Sequence, residues 1–371
     1  EVAKLLIAAG AQVDVSYVDG WSALYAAARA GHLDVVKLLL KHGASIDRRK
    51  TNGTTALWVA ARDGHETVVR HLIDHGADVN KKDKDSWTPL YTAAREGHYA
   101  IVLYLLEKGA QVNTQTETGL TPLIAAAEKG HLNVVKILLA YGASVQITAA
   151  DGTSAMYSAA QKNHVDIVAV LLESNAPPDI SHREGTTPLS TAAKEGNLEV
   201  VKLLVRHGAK VNRTGHEGTT PLLYAAYDGH DEVVNYLLQA GADPNLSKEN
   251  GVSTLYVAAQ RGHTKIVRTL IEAGAKVDQA YNGGWPALCV AARYGRLRRR
   301  QPWPRHRSSG PCGRSHHWAV LPVPAHSPDR SRPVRLHACS RYPAILWRAG
   351  SQSGPGESGR QIPHWECAGI W

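Results

Sequence analysis

Residues 87–110 read Trp87-Thr88-Pro89-Leu90-Tyr91-Thr92-Ala93-Ala94-Arg95-Glu96-Gly97-His98-Tyr99-Ala100-Ile101-Val102-Leu103-Tyr104-Leu105-Leu106-Glu107-Lys108-Gly109-Ala110, and this stretch decides the fold. Thr88 is placed to cap a helix with its hydroxyl, and Pro89 suits the first helical position because its missing N–H would have no partner there. Leu90, Ala93 and Ala94 give that helix a narrow face of small residues, which a neighbouring helix can approach closely. Gly97 ends it, because glycine enters the left-handed region without steric penalty. Ile101, Val102, Leu105 and Leu106 follow at helical period and predict a second helix, stopped at Gly109. The polar segment 111–118 then reads as an extended, turned finger.

The same design recurs along most of the chain. Gly-His stands at Gly31-His32, Gly64-His65, Gly97-His98, Gly130-His131, Gly229-His230 and Gly262-His263, always in steps that are multiples of 33 residues. Asn163-His164 and Gly196-Asn197 fill the two remaining places, and Gly295 opens a ninth. A second ladder of Gly-Ala runs from Gly10-Ala11 to Gly274-Ala275, with Asn175-Ala176 as its single variant. A third, Ser/Thr-Pro/Ala-Leu, includes Ser22-Ala23-Leu24, Thr121-Pro122-Leu123, Thr187-Pro188-Leu189 and Thr220-Pro221-Leu222. Chance does not keep three ladders in phase over nine units, and a fixed period of this length marks a repeat architecture.

In period, motif and register, residues 1–295 resemble the ankyrin repeat. The resemblance implies an all-α solenoid of paired short helices, with finger loops and first helices lining a concave side. No unit could bury its apolar face alone, so stacking makes the core. The array is expected to open with a partial unit at 1–16, a second helix lacking its first, and to break off in the ninth register near 295; the chain therefore reads as a fragment. Where the family has His after the Leu, this sequence has Tyr25, Trp58, Tyr91, Ile124, Tyr157, Ser190, Leu223, Tyr256 and Cys289. Aromatic packing is expected to replace the inter-repeat hydrogen bonds which that His makes in the family. The fifth unit departs most, with Met156, Asn163, Asn175 and Pro177-Pro178, and is expected to form a continuous but softer joint.

The formal charge of +9 invites a nucleic-acid reading, but the charge is unevenly placed. Residues 1–295 hold 29 Lys and Arg against 30 Asp and Glu, whereas 296–371 hold 13 Arg, no Lys and three acids. Ten of the 18 Pro also lie in this tail, which shows neither helical nor strand period and is expected to be irregular and unstructured. A shifted reading frame is a second explanation. Arg296-Leu297-Arg298-Arg299-Arg300 can be encoded so that the frame one base along reads Asp-Phe-Asp-Val-Val, which is what a repeat unit would place after Gly295.

Catalytic chemistry is not signalled. The chain has no glycine-rich phosphate loop, nucleophile elbow or His-x-x-x-His motif with a nearby acid. Repeats stack at roughly 8–10 Å, too far apart for successive His of the ladder to share a zinc with ligands at ~2 Å. Cys289, Cys312, Cys339 and Cys367 form no Cys-x-x-Cys pair. No metal, cofactor or enzyme activity is expected, and no signal peptide or run of ~20 apolar residues is present. With only Cys289 in the repeat body, the setting is expected to be intracellular, cytoplasmic rather than nuclear. Sequons at Asn52, Asn212 and Asn245 read as finger residues.

Function must then be sought on the surface. The positions that packing leaves open flank the finger glycine and precede the next Gly-His. They nominate Asp19, Trp21 and Arg29 in the first full unit, Lys84, Trp87 and Arg95 in the third, Tyr227 in the seventh, and Trp285, Arg293 and Tyr294 in the ninth. Aromatic residues beside Arg have the composition of an interface hot spot; an indole folded over its own finger is the alternative. Two adjacent fingers are basic, Arg48-Arg49-Lys50 and Lys81-Lys82-Asp83-Lys84, and would suit an acidic segment of a protein partner. The expected function is a non-catalytic protein-interaction scaffold. Two alternatives stand beside it: nucleic-acid or anionic-surface binding through the Arg tail, and the recognition region of a larger signalling receptor or enzyme.

Overall fold

The computed structural model describes residues 1–15 and 17–295, and among these the regular structure is helical, with only isolated β-bridges beside it. The expectations for 296–371, the shifted frame included, lie outside the described residues. A lone helix Val2–Ala8 is followed by eight helix pairs. These are Ala23–Arg29 with Leu33–Lys41, Ala56–Asp63 with Glu66–Asp74, Pro89–Glu96 with Tyr99–Glu107, and Pro122–Lys129 with Leu132–Ala140. The fifth to eighth are Ala155–Gln161 with Val165–Glu173, Pro188–Glu195 with Leu198–Arg206, Pro221–Asp228 with Asp231–Gln239, and Thr254–Arg261 with Thr264–Glu272. The helix Ala287–Arg293 begins a ninth unit.

Each first helix starts as its sequence dictates. Thr88 accepts a hydrogen bond from the Tyr91 N–H at 3.1 Å, and Ser22, Thr55, Thr121, Ser154, Thr187, Thr220 and Ser253 cap their helices in the same way. The ninth unit has Pro286 at that place and no side-chain cap. Leu57, Leu90, Leu123, Leu189 and Leu222 sit in the core with the paired alanines behind them. First helices pack against their neighbours more closely than second helices do, so the small-residue face draws one side of the array together and makes it the inner side.

Three ladders of hydrogen bonds tie unit to unit. His98 Nε2 donates to the Arg62 carbonyl at 2.9 Å, and His65, His131, His164, His230 and His263 make the same bond to the carbonyl 36 residues earlier. Finger tips are joined by their backbones, as in Lys84 N–H to the Asn52 carbonyl, Glu117 to Asp85 and His216 to Glu184. At the finger bases the Asn113 side chain accepts from Ser144 N–H at 2.8 Å and donates to the Gly142 carbonyl. Asn212 and Asn245 repeat this pattern with the following units, which gives two of the sequon asparagines a packing role.

The residues that replace the family's His divide by unit. Tyr25, Trp58 and Tyr91 are buried, as aromatic substitution requires, whereas Ser190 closes a reciprocal cap: its hydroxyl accepts from Thr187 N–H at 2.7 Å while Thr187 Oγ1 accepts from Ser190 N–H. The fifth unit is continuous with its neighbours, and its departures are coupled. A Cβ on the glycine of a Gly-His pair would meet the next unit's imidazole, 2.6 Å away at Gly97 against His131. Asn163 carries a side chain at that place with φ of 59°, and the residue stacked on it is the smaller Asn197. Asn197 still reaches the Gln161 carbonyl at 3.2 Å and adds a bond to Ala160 at 2.9 Å.

The two glycine ladders thus carry different constraints. Gly97 and Gly109 are both left-handed, at φ of 84° and 88°, but only Gly97 has a neighbour within reach of a Cβ. Gly97→Ala is expected to lower the unfolding free energy by about 2–4 kcal/mol, and Gly109→Ala by about 1–2 kcal/mol. Urea denaturation of both variants checks this, and equal losses would contradict the stacking constraint.

Candidate partner-binding surface

The open positions of each unit line the finger loops and the C-terminal ends of the first helices. Trp21 and Trp87 are half-buried against the core, and Trp285 is 41% exposed. Each indole lies under the arginine eight residues on: Arg29 is 5.2 Å from the Trp21 ring centre, Arg95 5.3 Å from Trp87 and Arg293 5.4 Å from Trp285. Trp21 and Trp87 also rest against Tyr25 and Tyr91 at 4.9 and 4.8 Å. The indoles therefore fold back on their own units, and the groups displayed at these places are guanidinium edges over aromatic bases. Burial pushes the Tyr91 phenol up to about 12, so it remains protonated there. Arg293 also approaches Tyr294, at 5.9 Å, and Tyr227 carries Arg261 of the next unit at 3.8 Å.

The two basic fingers are alike in sequence and unlike in structure. Arg48 pairs with Asp14 at 3.5 Å. Arg49 donates to the Lys82 carbonyl at 2.7 Å and to the Gly53 carbonyl at 3.1 Å, so its charge is spent on joining the fingers. Lys50 sits 4.5 Å above the Trp21 ring. Lys81, Lys82 and Lys84, by contrast, make no side-chain hydrogen bond or ion pair among the described residues, and Lys82 and Lys84 are exposed. Asp19, in the first finger, is exposed at φ of 68° and its carbonyl accepts from Thr51 N–H and Oγ1. The nominated residues thus fall in separate groups: Trp21, Arg29 and Lys50 over the first unit, Trp87 and Arg95 with the finger lysines at the third, Tyr227 at the seventh and Trp285, Arg293 and Tyr294 at the ninth.

Sequence reasoning set aside residues on the inner helices that prove open. Tyr157 and Tyr224 are half-buried. The His182 ring stacks on Tyr157 at 5.2 Å and 22°. The place four residues on, which is Arg29, Arg62, Arg95 and Arg293 in the first three units and the ninth, is Gln161 here and varies through the middle of the array, as Glu128, Lys194, Tyr227 and Gln260 show. On the opposite side, Tyr104 donates to Asp74 at 2.5 Å and Lys108 pairs with Asp74 at 3.0 Å, clamping the second helices of units two and three together.

The His ladder is accounted for by its carbonyl bonds, and among the described residues no cluster of His, Cys, Asp or Glu could hold a metal ion. No helix of the described residues is long and apolar enough to cross a membrane. Comparison with protein families shows that the ankyrin-repeat model, three copies long, aligns with residues 1–83, 47–116, 112–182, 175–248 and 240–298. Comparison with curated proteins gives no match.

Asp83, in the middle of the third finger, accepts from Trp87 N–H at 2.7 Å and Asp85 N–H at 3.0 Å. Burial nonetheless raises its pKa above the ordinary value, outweighing those bonds. The folded chain holds this proton more tightly than the unfolded chain, so ionised Asp83 opposes folding once pH exceeds its folded pKa. Asp83→Asn keeps the acceptor and removes the charge. The variant is expected to be at least as stable as the parent at pH 7, with its advantage vanishing below about pH 4. A pH series of urea denaturations measures this, and a variant less stable at pH 7 would contradict it.

Proposed function

We propose, from the premise that this chain belongs to the ankyrin-repeat family, that residues 1–295 are a non-catalytic scaffold holding a protein partner on finger loops and first helices. Ankyrin repeats are protein–protein interaction modules. The finer reading concerns where this one binds and what. The third finger is its centre of attraction: Lys81, Lys82 and Lys84 carry charge that nothing within the described residues engages, beside Arg95 over Trp87. Such a group suits an acidic segment of a partner, since unengaged surface cations attract at long range and raise the rate of encounter.

Arg48, Arg49 and Lys50 act as supports in this reading. Arg49 fixes the second finger to the third, and Lys50 with Arg29 holds the Trp21 face. The body of the array carries 29 basic against 30 acidic residues, so recognition rests on local charge and shape rather than on net charge. An intracellular setting belongs to the same proposal and rests on the single, free Cys289 among the described residues.

The test is the charge reversal Lys81→Glu, Lys82→Glu and Lys84→Glu in the full chain. For partners recovered by affinity capture, the association rate at low salt is expected to fall about tenfold or more, with dissociation changed less. Arg49→Glu is expected to loosen the finger instead and to show it in stability. An association rate unchanged by the triple reversal for every recovered partner would overturn this reading.

A further inference from the structure

The described array is open at both ends, and the two openings are complementary. Val2 and Leu6 of the lone helix Val2–Ala8 are 72% and 56% exposed, whereas the equivalents of Leu6 in the later second helices, from Leu39 to Leu270, are at 4% or less. What Val2 and Leu6 lack is the first helix against which a second helix folds. At the far end the helix Ala287–Arg293 has no second helix among the described residues. Leu288 is 76% exposed there, whereas its equivalents from Leu24 to Leu255 are at 3% or less. One end thus displays half of a unit and the other end the half that completes it. The sequence after Gly295 does not carry the second-helix pattern. Arg299 and Trp303 stand at the places of Val2 and Leu6, with Pro302 and Pro304 flanking Trp303, and proline breaks the hydrogen bonding of a helix interior.

The ladders between units end at the same two faces. At the finger bases, Asp or Asn side chains from Asp14 to Asn245 accept from the N–H 31 residues on. Asp278 is next in that series, exposed and without a side-chain hydrogen bond among the described residues, and Gln12 holds the place of the first donor. His32 is the first imidazole of the Gly-His ladder. It is exposed, and its ring makes no hydrogen bond among the described residues. Gly295 is the last glycine, left-handed at φ of 62°, and no described atom stands within 4 Å of the place of a Cβ. Beside it the Arg293 carbonyl occupies the position of the Arg95 carbonyl, which His131 caps in the third unit. Ala23 and Ala26 are exposed, whereas Ala56 and Val59 at the same places are buried. With Val13 and Trp21 they line a groove of about 560 Å³ where a preceding first helix would lie.

We propose that two copies of this chain join head to tail, the helix Val2–Ala8 of one copy completing the ninth unit of the other. Continuing the 33-residue register across the join matches every open place at once. Val2 and Leu6 of the second copy meet Leu288, and Gln12 N–H meets Asp278. His32 lies on Gly295, with its Nε2 at the Arg293 carbonyl. The first helix Ala23–Arg29 packs on Ala287–Arg293 as first helices do within the chain. The join gains apolar burial at both half-units and satisfies a carbonyl at a helix end. A repeat array needs a polar outer face at its ends to remain solitary, and these ends present Val, Leu and Ala. The two faces differ, so the contact is heterologous and does not close, and a third copy can add at either end. None of this depends on the lysines of the third finger.

The test is sedimentation velocity of the full chain between about 1 and 100 µM. The mean mass is expected to rise with concentration, past that of a dimer. Leu6→Glu blocks one face and Leu288→Glu the other. Both positions are exposed, and circular dichroism verifies that each variant is folded. Each variant alone is expected to stay monomeric. An equimolar mixture is expected to form a dimer and nothing larger, because one open face of each kind remains. His32→Ala is expected to weaken association about tenfold. A monomeric parent throughout the range would show that the faces are covered within one chain and would overturn the proposal. So would a single variant associating as the parent does, a mixture that stays monomeric, or a His32→Ala chain that associates as tightly as the parent. Lys81→Glu, Lys82→Glu and Lys84→Glu are expected to leave the association unchanged, so that failure of the acidic-segment reading and failure of this one remain separate results.

Discussion

The contact on which the array depends is an imidazole lying on the glycine of the unit before it. His131 lies against Gly97 so closely that a methyl group would not fit, and its Nε2 donates to the Arg95 carbonyl at 3.0 Å. That carbonyl is at the end of a first helix, where the last acceptors have no partner within the helix. One side chain therefore meets an obligation of the helix behind it and fixes the distance between units. Five other units repeat the bond, and the pair Asn163 and Asn197 keeps it in altered form. Fingers and first helices are held in line by this spacing, and the binding surface inherits its regularity.

Regular spacing makes departures at the surface positions meaningful. A cation placed over an aromatic ring within one unit is a closed pair, and an internal pair of this kind contributes rigidity more than affinity. Charges left over after internal pairing are the ones a partner meets without having to displace anything. By that measure the third finger offers positive charge through Lys81, Lys82 and Lys84, and the fourth unit beside it is neutral, where Leu120 and Ile124 replace the Trp and Tyr of the third. The surface has direction along the array even though its total charge is nearly balanced.

The units were legible in the sequence because their determinants are local. Thr88, Pro89 and Gly97 start and stop a helix through their own covalent geometry, and Ile101, Val102, Leu105 and Leu106 mark a face by period alone. The role of the histidines was not legible to the same degree. Their spacing disposed of a shared metal, but the bond to a carbonyl 36 residues earlier exists only once two units are stacked. Surface assignments suffered from the same limit. Arg49 and Lys82 look equivalent on the page, and only the fold shows that the guanidinium of one is bonded to the backbone of the other. Tyr157 was read as packing in place of a histidine. In the folded array its ring is stacked by His182 of the next finger, a partner that only the stacking of two units brings to it.

The central claim is that a partner lies along the inner surface, engaging the third finger and the first helices beside it. Hydrogen–deuterium exchange of the full chain, alone and saturated with a recovered partner, tests it most directly. The account predicts slowed exchange in residues 80–87 and at the C-terminal ends of the neighbouring first helices, with the second helices unchanged. Protection confined to the second helices, such as Tyr99–Glu107 and Leu132–Ala140, would place the partner on the opposite side and contradict the account.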